Sequence, residues 1–349
     1  MRGRKRLRES VDLLRRAACA LLGHAFGKRP MQAVYYLTYR CQSRCIYCDI
    51  WRRGGTMAER VDVIRNMRGL RDLGVPFISF TGGEPFLYPH LAGVLEAAKG
   101  NGMRTTVITN GLLYQERADE IRGLIDDLEF SLSTTNREAY RKERGVDALP
   151  QVIRAIELAV SRGESVSILA TIWEENISEI PQLIKFARSL GVMCILGPVY
   201  QYFGNKAFPS QKAHILRALS QEPGVWMNRA FLEFMARGGN HVDFPSCGAL
   251  RTTLAISPEG DLLVPCYHNM VEAWPIKGDF RAVYQNRRFQ AQRKRVGRWP
   301  FCEGCHIFCY FEGAFLRRAD RLFFLDASSR MKWLLTQTKL GRGLRMKSS

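Results

Sequence analysis

From residue 33 onward, apolar β-rich runs and helical periodicity alternate six times. The strand-like runs are Ala33–Thr38, Phe77–Phe80, Arg104–Thr109, Leu128–Leu132, Val166–Ile172 and Met193–Pro198. Helical stretches fall between and after them, at Ala58–Leu73, Leu91–Gly100, Gln115–Leu124, Leu149–Ser161 and Ile177–Leu190, and Gly74-Val75-Pro76, Asn101-Gly102 and Gly191 mark their ends. This alternation commits the chain to a parallel sheet with helical crossovers. Six units are fewer than the eight of a closed (β/α) barrel. The expected fold is therefore α/β, a partial (β/α)6 barrel.

After residue 200 the pattern changes. Residues 211–239 read as helical. Leu250–Ile256 and Asp261–Val264 flank Ser257-Pro258-Glu259-Gly260 and read as a β-hairpin. Four segments are expected: a basic amphipathic helix within residues 1–30, the barrel with its linking helices over 31–240, a small cysteine-rich hairpin and helical extension over 241–312, and a basic, apolar-rich tail over 313–349.

The formal charge is +19 at 349 residues, and its placement matters more than its size. Residues 1–30 hold nine Lys/Arg against two acids, residues 281–349 hold sixteen against four, and 31–280 balance at 27 each. A neutral body argues against a nucleic-acid enzyme, and no basic–aromatic RNA motif is present. Basic, apolar-rich ends suit an anionic membrane surface. No window approaches 18 uninterrupted apolar residues. Ala17–Phe26 is too short to span and lacks a small-residue cleavage site. A cytoplasmic enzyme, peripheral on the cytoplasmic membrane face, is expected.

In that reducing setting ten cysteines call for a metal or redox explanation. Cys19 and Cys194 lie on apolar elements and are expected to be buried, inert thiols. Cys41, Cys45 and Cys48 stand in a C-x3-C-x2-C run just past the first strand. Three thiolates can wrap one centre. A cubane iron–sulfur cluster wants four ligands, so three leave one iron open. Structural zinc wants four, and no fourth Cys or His follows nearby.

This run, with aromatic Tyr47 before its third cysteine, resembles the radical S-adenosylmethionine (SAM) superfamily. Further matches follow in order: Thr81-Gly82-Gly83-Glu84-Pro85 after the second strand, Thr109-Asn110-Gly111 after the third, and Ser131-Leu132-Ser133 at the fourth, where Ser133 replaces the family's usual Asp. The resemblance covers about residues 33–200. It implies that Cys41, Cys45 and Cys48 hold a 4Fe–4S cluster whose open iron binds SAM. It also implies that Tyr47, Gly82, Gly83, Glu84, Pro85, Thr109, Asn110, Ser131, Ser133 and Arg144 line the SAM site. Close backbone approach at the glycines, a Glu84 contact to the SAM ammonium and an Arg144 contact to its carboxylate are expected.

The C-terminal cysteines are Cys247, Cys266, Cys302, Cys305 and Cys309. With the hairpin before Pro265-Cys266, they resemble the SPASM and twitch extensions of radical SAM enzymes. That resemblance implies one auxiliary 4Fe–4S cluster on Cys247, Cys266, Cys302 and Cys305, with Cys309 spare or replacing one of them. A zinc site on four of these thiols is the alternative. Cys302-x-x-Cys305-His306 also reads as a c-type haem string, but attachment needs export and no convincing signal is present.

The reading that follows is reductive SAM cleavage to a 5′-deoxyadenosyl radical and hydrogen abstraction from a lipid-derived or membrane-associated substrate. A peptide-modifying enzyme is the alternative, and an iron–sulfur electron-transfer or binding module is the non-enzyme alternative. A reductant such as flavodoxin or ferredoxin is the expected partner. Glu174, Tyr200 and Tyr202, at or after the last two strands, are candidate proton donors or acceptors.

Overall fold

The computed structural model describes residues 29–337. The expectations for a helix at residues 10–26, for Cys19 and for the segment after 337 lie outside them.

Six parallel strands build the body: β1 (Gln32–Thr38), β2 (Phe77–Gly82), β3 (Arg104–Thr109), β4 (Asp127–Ser131), β5 (Val166–Ile172) and β6 (Met193–Pro198). Each pairs in parallel with the next in sequence. The crossovers carry α1 (Arg60–Asp72), α2 (Leu91–Gly100), α3 (Tyr114–Arg117), α4 (Arg137–Arg144), α5 (Leu149–Ser161) and α6 (Ile180–Ser189). The sheet continues beyond both ends of this body. β7 (Val225–Trp226) adds to β6, while β8 (Thr253–Ile256), β9 (Asp261–Val264) and β10 (Glu272–Pro275) extend it from β1. The hairpin of the extension thus joins the barrel sheet, with β8 parallel to β1 and β9 antiparallel to β8. The remaining helices are α7 (Ala213–Leu219), α8 (Arg229–Ala236), α9 (Phe280–Gln285), α10 (Arg287–Lys294), α11 (Glu312–Phe315) and α12 (Arg321–Gln337).

Several expectations are corrected. The helix expected over Gln115–Leu124 is a single turn, α3. The Arg117 guanidinium donates to the carbonyls of Phe86, Tyr88 and Pro89, and turns follow. The helical stretch 211–239 is two helices split by β7, where Val225 and Trp226 pair with Cys194 and Ile195. Pro223 and Gly224 break the helix there. The first hairpin strand begins at Thr253 rather than Leu250. Gly248 O accepts from the amides of Arg251 and Thr252 in a tight turn that holds Leu250 at φ 58°.

The described part of the expected C-terminal tail is an integral helix. α12 packs along α8, and its Asp326 is fully buried, accepting from Asn228 Nδ2 at 2.5 Å and from Arg330 Nε at 2.6 Å. Trp333 packs against Met193, Ile195 and Trp226, which form a small core of their own with Leu169 and Phe308. The apolar residues that suggested a membrane face are therefore partly spent on the protein's own core. Among the described residues no helix is long and apolar enough to cross a membrane. Cys194 is buried in the main core, as expected.

Candidate active site

The loop after β1 carries Cys41, Cys45 and Cys48, all half-buried. Its course is fixed by α4, whose last carbonyls lack intrahelical partners. Arg44 N donates to Arg144 O at 2.7 Å and Ile46 N to Glu143 O at 3.0 Å. Cys48 N closes a turn on Cys45 O. Cys45 lies close enough to raise both other thiols. Burial, then Glu84 and the other two thiols, push Cys41 up to about 12. Burial and Cys45 push Cys48 up to about 12, and burial raises Cys45 against the opposing pull of Arg144. Asn110 Nδ2 donates to Cys41 Sγ at 3.8 Å, and Arg144 Nη1 to Cys45 Sγ at 3.7 Å.

The two glycines at the end of β2, Gly82 and Gly83, are demanded by the chain's own backbone. A Cβ on Gly82 would lie 2.2 Å from Thr38 O, and one on Gly83 would lie 2.0 Å from Arg40 O. Gly83 N and Glu84 N donate to those same carbonyls at 2.7 and 2.8 Å. Glu84, the residue expected to meet the SAM ammonium, is tied into the protein by three hydrogen bonds. Glu84 is fully buried; Oε1 accepts from Thr109 Oγ1 at 2.7 Å and Phe86 N at 3.0 Å, and Oε2 from Asn110 N at 2.7 Å. Burial pushes its carboxyl up to about 7 against those three donors. Its visible work is to tie the turn after β2 to the turn after β3. Pro85 opens the short 3-10 turn that follows.

Arg144 sits in a buried polar cluster. Its Nη2 reaches Ser133 Oγ at 3.5 Å, and Ser133 also accepts from Thr171 N at 3.2 Å. Ser133 therefore joins β5 to Arg144. Ser131 closes β4 with a half-buried side chain. Glu143 Oε1 lies 2.9 Å from Arg144 Nε and accepts from Tyr47 Oη at 2.6 Å. The Arg144 contact is an ion pair without hydrogen-bond alignment, so Arg144 Nε and Glu143 Oε2 both lack hydrogen-bond partners while buried, as does Ser43 Oγ. Glu143 is a site residue the sequence reading missed. Asn136 as N-cap and Gly145 as a left-handed C-cap bracket α4, and that pair is the signal that places Tyr140, Glu143 and Arg144 on one face. A cavity of about 450 Å³ adjoins this cluster, lined by Tyr47, Glu143, Trp173, Asn176, Val199 and Phe208 among others.

The five C-terminal cysteines also converge. Burial raises every one of them. Cys247 is raised further by Cys305, Cys266 and Cys302, Cys266 by Cys305 and Cys302, and Cys309 by Cys266 and Cys305. Cys309 stands within the group rather than apart from it. His306 turns away: its Nδ1 lies 3.2 Å from Gly304 O and its Nε2 3.4 Å from Val199 O.

Between the two cysteine groups lies an aromatic layer. Tyr200 is raised by burial first and then by Cys309, Cys48 and Cys266, so it borders both groups. Its hydroxyl lies 2.6 Å from His268 Nε2. Burial pushes the His268 imidazole down to about 3, which keeps it neutral. Tyr36 stacks on Tyr267 at 4.2 Å, and Tyr310 Oη accepts from Tyr267 N at 3.0 Å. Tyr202 Oη donates to Asp49 Oδ1 at 2.5 Å and accepts from Arg53. Glu174 lies outside this aromatic layer: it is exposed at the edge of the cavity beside Tyr47, in an ion pair with Lys212.

The donor set fits a cluster and a polar ligand. Three thiols stand together with a guanidinium beside one of them, and orphaned polar atoms of both signs are buried alongside. Among the described residues no three His, Cys, Asp or Glu side chains converge closely enough to hold a single metal ion. Residues 35–187 match the model of the Radical SAM superfamily. These residues form a radical SAM domain. The "Probable GTP 3′,8-cyclase" of Methanopyrus kandleri is 31% identical over 166 residues, which is 46% of this chain and 54% of that protein. A protein of the same description from Saccharolobus islandicus is 28% identical over 173 residues, 48% of this chain and 56% of its own length. The chain thus spans about half the length of these curated relatives. The fold likeness reaches further. Streptococcus suis SuiB bound to SAM superposes with a TM-score of 0.67 at 18% identity, over 90% of this chain and 80% of that one. AnSMEcpe with bound SAM and a peptide gives 0.60 at 12%, over 90% and 99%. Both likenesses extend past residue 187 into the cysteine-rich extension, so the radical SAM domain and its extension share one recurring architecture.

Proposed function

We propose that this protein is an enzyme that cleaves SAM reductively and abstracts hydrogen from a substrate held between its two cysteine groups. One observation carries this reading. Cys41–Cys48, Gly82–Pro85, Thr109–Gly111 and Ser131–Ser133 follow four adjacent parallel strands, β1 to β4, in that order and at the same end of the sheet, the end where such barrels do their chemistry.

When bound, the reduced 4Fe–4S cluster and SAM supply a 5′-deoxyadenosyl radical able to remove a hydrogen atom from an unactivated C–H bond. Cys41, Cys45 and Cys48 hold the cluster, and Arg144 offsets its negative charge. Glu84 fixes the Thr109–Asn110 turn against the cysteine loop. Arg144 Nε and Ser43 Oγ offer unspent donors to the methionyl end of SAM, and the cavity beside Tyr47 takes another part of it. Cys247, Cys266, Cys302, Cys305 and Cys309 supply the thiols for one auxiliary cluster. Tyr200 and His268 form the polar pair that borders both groups, where a substrate proton can be held or passed.

The basic residues among 1–30 favour a lipid-derived or membrane-associated substrate, with the enzyme cytoplasmic and peripheral. A peptide substrate is the second reading, favoured by the fold shared with SuiB, also solved with its precursor peptide SuiA, and with peptide-bound anSMEcpe.

Calorimetry with anaerobically reconstituted protein tests the SAM site. Saturable SAM binding is expected, and its absence would leave only an iron–sulfur module. Flotation with anionic vesicles, comparing the full chain with one lacking residues 1–28, tests the membrane reading. Equal recovery of both in the soluble fraction removes it.

A further inference from the structure

Residues 280–302 hold seven Lys/Arg and no acid. They form α9, α10 and the turn that leads into Cys302. The apolar residues of these helices, Phe280, Val283 and Phe289, are buried against the body. Arg281, Arg287, Lys294, Arg295 and Arg298 are left on the outer face, all exposed. Arg288 is paired with Glu272 at 2.6 Å. Arg281, Arg287 and Lys294 have no ion-pair partner among the described residues. Arg251, four residues past Cys247, joins the same field. Burial lowers its pKa, and so do Arg293 and Arg298. Arg317 is lowered by burial and then by Arg293 and Arg251. The exposed basic groups without an ion-pair partner among the described residues, Arg281, Arg287 and Lys294, suit an anionic partner.

Two exposed aromatics lie within this field. Phe301, next to Cys302, is 40% exposed and stacks on Trp299, which Arg295 covers at 5.1 Å. Phe244 is 82% exposed. Its loop is held against the same region, because Arg298 Nη1 donates to the carbonyls of Val242 and Asp243 and Glu303 accepts from Val242 N.

We propose that this face, the outer side of α9 and α10 with Phe244 and Phe301, is the docking surface for an acidic one-electron carrier protein. The inference rests on the reading above: reductive cleavage consumes one electron that neither SAM nor the polypeptide supplies, so a carrier must dock near a redox-active centre. The surface adjoins two cysteines of the second group, Cys302 and, through Arg251, Cys247. Exposed aromatics on a face rich in basic residues unpaired among the described residues suit a transient electron-transfer contact, which is typically small and steered by charge. A membrane fits this face less well, since the helices bury their apolar stripe and present no apolar face to insert.

The test uses the full chain with clusters reconstituted and flavodoxin as the acidic probe. Binding is measured by biolayer interferometry at low and high salt. Wild type should bind, with affinity falling at least tenfold as salt rises. The triple reversal R281E/R287E/K294E should weaken binding at least tenfold with iron content and SAM affinity unchanged. The control reversal R122E/R154E/K185E makes the same change in net charge with exposed residues of the barrel, and should weaken binding less than threefold. Equal losses in both triple variants overturn the proposal, because net charge alone then accounts for binding. So does unchanged flavodoxin affinity in the first variant, including the case where it loses binding to anionic vesicles or RNA instead. Dithionite-driven SAM cleavage, which needs no carrier, is measured in parallel. Its absence in wild type counts against the enzyme reading alone, and its survival beside an unmoved flavodoxin affinity counts against the docking surface alone.

Discussion

Single residues at the rim of the sheet carry more than one duty. Glu84 accepts three hydrogen bonds from Phe86, Thr109 and Asn110, so its carboxylate is a brace between two loops. In Glu84→Gln the amide nitrogen must face one of those donors and lose its bond. SAM affinity by calorimetry should fall at least tenfold with iron content unchanged; an unmoved affinity contradicts the brace. Arg144 pairs with Glu143, reaches Ser133 and faces Cys45 with one guanidinium. Arg144→Lys keeps the charge and loses the fork, so it should also weaken SAM binding at least tenfold. The cysteine ligand candidates were legible because spacing alone brings them together. Glu143, Asp49 and His268 were not. They come from sequence-distant segments that only the folded chain joins, and their types are common on any surface.

At the scale of elements, α12 is the informative case. Its apolar residues are interleaved with basic ones, a pattern that reads equally as a membrane face or a packed helix. The deciding fact is tertiary: Asp326 is buried against Asn228 and Arg330. Asp326→Ala strips Arg330 of its 2.6 Å carboxylate partner, leaving it only the more distant Glu312 at 3.9 Å, and leaves the buried Asn228 amide without its acceptor. Such losses cost about 3–5 kcal/mol, and the melting temperature should drop accordingly; a drop within error contradicts the integral role. The barrel interior also holds Glu129 on β4, whose carboxyl is pushed up to about 8 by burial and then by Asp127 and Glu312. Its folded pKa lies above its unfolded one, so the stability it contributes is present below about pH 4.5 and lost as pH rises through about 8. Glu129→Gln should therefore match wild type in melting temperature at pH 5 and exceed it at pH 9. Equal melting curves at pH 9 contradict the burial of that charge. The six core strands were readable because each is a β-branched or aromatic run bounded by turns. β7 and β10 were not, being a two-residue edge and a polar edge strand ending in Pro275, too short for alternation to register.

At the scale of the whole molecule, the excess charge is concentrated toward the two ends of the chain. The body from 31 to 280 is balanced, and the basic residues gather toward the ends, including the face over Cys302. The two cysteine groups, from opposite parts of the chain, meet across Tyr200 and His268 because β8 docks in parallel on β1 and brings the extension to the rim, and the proposed chemistry lies there. That docking has no signature in either strand alone. The central claim is that Cys41, Cys45 and Cys48 support reductive SAM cleavage. The direct measurement is 5′-deoxyadenosine formed by anaerobically reconstituted protein with SAM and dithionite, compared among wild type and Cys41→Ala, Cys45→Ala and Cys48→Ala. The nucleoside should accumulate with wild type and fall to background in all three variants. Wild-type yield in any of the three, or none from wild type carrying its full iron complement, would contradict the account.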